Sequence, residues 1–138
     1  MHTTNYRNTL IEIAEDCPMV QGVCPPHKPE APSIAHLQYA LIQSYPYTFT
    51  SDEILFKVYY QKQQMAVSPD QAWADFFGRP QACLRTSPLS RRYGWGIHAN
   101  DKGKIALLDA ASDAYQQLLA DPNIKKVKAM RSRRATKI

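Results

Sequence analysis

Between Arg79 and Leu108 the chain carries six bases (Arg79, Arg85, Arg91, Arg92, Lys102 and Lys104), one acid, Asp101, and a histidine, His98. Guanidinium groups meet phosphate or carboxylate oxygens through paired donors, so clustered arginines point to anion binding. Within this stretch, Ser87-Pro88 has the form of a helix start, with the serine as cap and the proline in the first turn, and Gly94 can end that single turn. The first amides of a helix lack partners and carry partial positive charge, which also draws anions. Arg85, Thr86, Ser87 and Arg91 therefore form the candidate ligand site, with Arg92, His98 and Lys104 beside it. A plain structural reading competes. Capping and turn geometry account for Ser87, Pro88 and the glycines, and arginines at element ends pair with carboxylates such as Asp52 or Asp75. It leaves the clustering of the arginines unexplained.

His98 lies in a hairpin. Asn100-Asp101-Lys102-Gly103 has the chemistry of a type I turn whose glycine takes the left-handed position. That turn pairs Asn100 with Lys104, His98 with Ala106 and Gly96 with Leu108, giving a hairpin over about 94–109. Strand side chains alternate, so Trp95, Ile97, Ala99, Ile105 and Leu107 share the core face. On the other face, Gly96 and Ala106 leave room beside His98, which reads as the floor of a shallow pocket.

The elements that position these residues follow from local pattern. Residues 8–14 read as a first strand, and Gln81–Arg85 as a short one. Five of the ten prolines fall in Pro18–Pro32, making 15–32 a proline-rich loop, long enough to be a lid or a partner-binding segment. Ser33 caps a helix with Ile34, Leu37, Leu41 and Tyr45 on one stripe. Thr50-Ser-Asp-Glu53 is a capping box, which favours helix over strand for the β-branched and aromatic residues of 53–61. Ser68-Pro69 and Ser112 start two more helices, and Asp121-Pro122 a last short one with Ile124, Val127 and Met130 on one side. The order implies a small single α+β domain, a short antiparallel sheet packed with four to five helices.

A chain of 138 residues with 44% hydrophobic and 21% charged residues is ordinary globular material. No apolar run approaches the roughly 18–20 residues of a membrane span, and no secretory leader is visible. Three cysteines, an odd number, fit a reducing cytoplasm. The net charge of +5 is uneven: residues 125–138 hold seven of the 17 Lys and Arg and none of the 12 acids. Residues 1–124 thus keep ten bases against 12 acids and form the domain; 125–138 reads as a basic C-terminal tail. Lys125, Lys126, Lys128, Arg131, Arg133 and Arg134 suit an acidic protein or nucleic acid, and equally a solvated, solubilising end.

At the hairpin, CLRTSPLSRRYGWGIH followed by DKGKIAL, together with AEDCP near the start, YTFTSDEILF in the centre and KAMRSRR at the end, resembles a family of short bacterial single-domain proteins known as a domain of unknown function. RYGWGIH is its most distinctive element. The resemblance implies a bacterial, cytoplasmic, single-domain protein and carries no activity, cofactor or catalytic residue. Cys24 and the proline-dense loop lie outside the matching parts.

Other chemistry is less well supplied. Cys17, Cys24 and His27 are spaced C-x6-C-x2-H, wider than zinc thiolates prefer and without a neighbouring fourth ligand, though His36 or His2 is available at a distance; no metal is expected. No phosphate loop, dinucleotide fingerprint, nucleophile elbow or zinc-protease helix occurs, and no cofactor is expected. Three functions follow: a domain binding a small anionic ligand or acidic partner at the hairpin region; an enzyme using His98 or Cys83 beside Arg85 and Arg91; or a non-specific nucleic-acid binder working through the tail, with Tyr93 or Trp95 stacking bases.

Overall fold

The computed structural model describes residues 3–63 and 67–133. Strand β1 (Thr9–Glu12) leads through the proline loop to helices α1 (Ile34–Ser44), α2 (Ser51–Gln63) and α3 (Pro69–Phe77). A 3-10 turn, Leu84–Thr86, and the short α4 (Pro88–Arg92) precede the hairpin of β2 (Trp95–Ala99) and β3 (Ile105–Asp109). Helix α5 (Asp113–Ala120) and strand β4 (Lys125–Lys128) follow. The strands form one sheet in the order β3-β2-β1-β4, an α+β architecture.

Helix starts are set by capping. Ser33, Ser68 and Ser112 each accept an amide from the first turn, and Thr50 and Glu53 exchange bonds, Glu53 N donating to Thr50 Oγ1 and Thr50 N to Glu53 Oε1. That box outweighs the strand-like composition of residues 54–60, which are helical. The hairpin register is the expected one, with Gly96 opposite Leu108, His98 opposite Ala106, and Gly103 at φ 78.

Five expectations fail for physical reasons. The sheet is mixed, because β4 runs parallel to β1 while β1-β2 and β2-β3 are antiparallel. The helix expected at 122–130 is therefore partly that strand: Ile124 packs on one side of the sheet, Val127 on the other, and Met130 is exposed. Pairing with β1 overrides an apolar spacing that also fits a helix. Lys125–Lys128 accordingly belong to the sheet rather than to a tail, whereas Arg134 lies outside the described residues. The strand expected at 81–85 is loop and 3-10 turn. On α1 the inward residues are Ala35, Leu37, Gln38 and Ile42, while Ile34 and Tyr45 are exposed; polar Gln38 faces inward because the Ser87 hydroxyl donates to its Oε1.

Both faces of the sheet are covered. Ile11, Trp95, Ile97, Ala99, Ile105 and Leu107 meet Ile42, Ile54, Leu84 and Leu89 in the main core. On the opposite face Leu10, Leu108 and Ala110 meet Tyr115, Leu118 and Leu119 of α5. The proline loop is fastened across one end of β2: Trp95 Nε1 donates to the Val23 carbonyl, Val23 N to that of Tyr93, and Gly22 N to Asp109 Oδ1. Gly94, at φ 77, lets it lie this close, since an added Cβ would sit 2.0 Å from the Gln21 carbonyl oxygen. Asp52 is buried and bound by Thr3 and Thr4 instead of an arginine. Among the described residues no helix is long and apolar enough to cross a membrane.

Candidate functional site

Arg85 lies against the outer edge of β4. Its carbonyl accepts Met130 N at 2.9 Å and its Nε donates to the Lys128 carbonyl at 2.7 Å, so one residue takes the place of a neighbouring strand at 128–130. Arg85 borders a shallow groove of about 600 Å³ lined also by Glu15 and residues 128–133. Four bases, Arg85, Lys128, Arg131 and Arg133, stand around it, and Glu15 is the one acid in its described lining.

The acids next to β1 hold the far wall. Glu15 places Oε1 3.5 Å from Lys128 Nζ and Oε2 2.8 Å from Arg131 Nη1. Asp16 Oδ2 accepts the amides of Ser132 at 2.9 Å and Arg133 at 3.0 Å. Desolvation works to raise the Asp16 carboxyl, but those two amides, its own amide and the nearby Arg131 charge hold it below its ordinary value. Asp16 thereby ties the backbone of 132 and 133 to the end of β1.

The remaining sequence candidates are dispersed. Ser87 is buried, donating to Gln38 and accepting Leu89 N, so α1 covers the start of α4 and no ligand reaches those amides. Thr86 Oγ1 donates to the Cys83 carbonyl. Arg91 has a buried Nε, and Arg92 is exposed on the end of α4. Lys104 faces Glu53 at 3.6 Å near the opposite edge of the sheet. The space expected beside His98 is filled: a Cβ on Gly96 would meet the Tyr115 ring at 2.4 Å, and Tyr47 OH is hydrogen-bonded to His98 Nδ1 at 2.8 Å. Burial lowers the His98 pKa and raises that of Tyr47, favouring a neutral imidazole beside an intact phenol. Tyr47 reaches this position with a positive φ of 55, uncommon for a tyrosine.

Cys83 bonds Tyr6 OH at 3.3 Å, whereas His98 bonds Tyr47, so the proposed nucleophile–base pair is not assembled. Burial, then the contact with Cys83, pushes the Tyr6 phenol up to about 12. His27 stacks on His36 with ring centroids 4.1 Å apart, and among the described residues no group of three or more His, Cys, Asp or Glu is placed to hold a metal ion. A second groove, about 360 Å³ and mostly apolar, opens between α2 and α3 against Phe56, Tyr60 and Trp73.

Residues 1–135 match a family described as a family of unknown function (DUF6157). The chain belongs to that family. No curated protein and no solved structure matches it. The matched span includes β1, the hairpin and β4, so the residues of the groove all lie inside the family domain. In the sequence, Arg85 and the bases of 125–134 stand out separately. That they share one groove with Glu15, backed by Asp16, is invisible there, because Glu15 and Arg131 are 116 positions apart and no local pattern signals the contact.

Proposed function

We propose that the chain binds an anionic ligand in the groove formed by Arg85, Lys128, Arg131 and Arg133. The observation that carries this is the convergence of four bases on one concavity with a single lining acid. Guanidinium and ammonium groups there are half-exposed or exposed, so they meet a ligand without first being stripped from a core partner. Buried Ser87, and His98 beneath Tyr47, offer no comparable access. The reading takes the chain to be a bacterial cytoplasmic protein, in keeping with the family resemblance and with free thiols at Cys17, Cys24 and Cys83.

Calorimetric titration with inorganic phosphate, citrate and a short oligonucleotide tests the proposal. Wild type should bind at least one of these, more weakly as salt rises, and Lys128→Ala/Arg133→Ala should lose at least about tenfold in affinity. Unchanged affinity in that double variant would remove the groove from consideration. A steep salt dependence with the oligonucleotide alone would favour nucleic acid over a small anion.

A further inference from the structure

Glu15 already occupies part of the cationic groove and Asp16 backs its wall, and the two acids are held differently. Glu15 engages two side chains, Lys128 Nζ with one oxygen and Arg131 Nη1 with the other. Asp16 engages backbone, taking the amides of Ser132 and Arg133. A carboxylate held by two amides in a tight turn is structural. One held by long, half-exposed side chains is exchangeable, since surface ion pairs change an equilibrium by about fivefold or less.

We infer that Glu15 is a built-in occupant of the groove, standing where an incoming anion sits, and that the groove selects a phosphate dianion over a lone carboxylate; this rests on the anion-binding reading above. A free monocarboxylate offers Lys128 and Arg131 only what Glu15 offers. It must also compete with a tethered group whose effective concentration is on the order of millimolar. A phosphate dianion brings about two charges and three acceptor oxygens. It can meet Lys128 and Arg131 together with the end of Arg85, which has no side-chain partner among the described residues beyond its Nε bond. Asp16 is a positioning residue: by fixing the amides of 132 and 133 it sets where Arg131 and Arg133 start.

The two acids separate the device from simple charge. Glu15→Gln and Asp16→Asn each remove one negative charge from the same locality, so a general electrostatic effect would strengthen anion binding equally in both. The inference predicts opposite signs. With inorganic phosphate as probe, Glu15→Gln should bind about fivefold more tightly than wild type, and Asp16→Asn more weakly. With acetate, wild type should show no binding at concentrations where phosphate saturates, and Glu15→Gln should narrow that gap. Glycerol phosphate distinguishes the source: tighter binding than inorganic phosphate marks an ester, and the reverse marks the free ion, either order supporting the dianion. Equal gains in both variants, or a loss in Glu15→Gln, overturn the inference while leaving the groove intact as a binding site. Failure of wild type and both variants to bind phosphate at all overturns it together with the groove reading.

Discussion

The two edges of the sheet use similar residues to opposite ends. On the β3 side of the sheet, Lys104 is paired with Glu53, and on the adjoining β2 His98 is bonded to Tyr47 and the gap above Gly96 is filled by Tyr115. At the β4 edge, Arg85 is held by its carbonyl and Nε, has no ion pair among the described residues, and lines an open groove. Glu53 shows how complete the first arrangement is. Burial would raise its carboxyl, yet bonds from Thr50 and the Lys104 charge keep it lower than usual. A charged group is informative about function where the fold has used its backbone and left its head over. By that criterion the β2–β3 hairpin is architecture, and the β4 edge is where we propose the site.

The largest effect that sharpens this contrast is expected at Tyr115. Its ring covers Gly96 and its hydroxyl accepts Ile13 N, so Tyr115→Ala should cost about 3–5 kcal/mol in urea denaturation without touching anion affinity. Gly96→Ala forces a methyl into the same ring and should cost about 1–3 kcal/mol. Restored stability on combining Gly96→Ala with a smaller residue at 115 would confirm that the two share one space.

A smaller effect is expected from the Tyr47–His98 bond, at about 1 kcal/mol for Tyr47→Phe. It comes with a pH signature. Because burial lowers the His98 pKa, the unfolded chain takes up the proton first on acidification. Stability should therefore fall as pH drops below about 6.5, and His98→Asn should flatten that slope in thermal melts. A slope unaltered by His98→Asn would assign it to other groups. Smallest of all is Arg133→Ala: its side chain is exposed, so stability should move by no more than about 0.5 kcal/mol while anion affinity drops. A variant that unfolds the chain and spares binding at Arg133, or the converse at Tyr115, would break the division between the edges.

Most elements were legible because their signals are local. Ser-Pro starts, the Thr50–Glu53 box and the Asn100–Gly103 turn each act over a few residues, and the structure forms each as its chemistry dictates. What was hidden depends on distant pairing. Nothing in KKVK announces a strand until β1 is beside it, and nothing local turns the polar Gln38 inward until Ser87 bonds it. The site divided along the same line. Arg85 and the bases after Lys125 were identifiable from charge clustering, but their meeting with Glu15 and Asp16 is a tertiary event. The room beside His98 was inferred from absent side chains, and Tyr115 fills it from an element 19 residues further along the sequence than Gly96.

Amide-resolved NMR with inorganic phosphate titrated into the uniformly nitrogen-15-labelled chain tests the assignment of function to the β4 edge most directly. Shifts should concentrate at Glu15, Arg85 and residues 128–133, saturate, and leave Tyr47, Gly96 and His98 in place. Saturable shifts centred on His98 and Lys104, or none that saturate anywhere, would contradict the account.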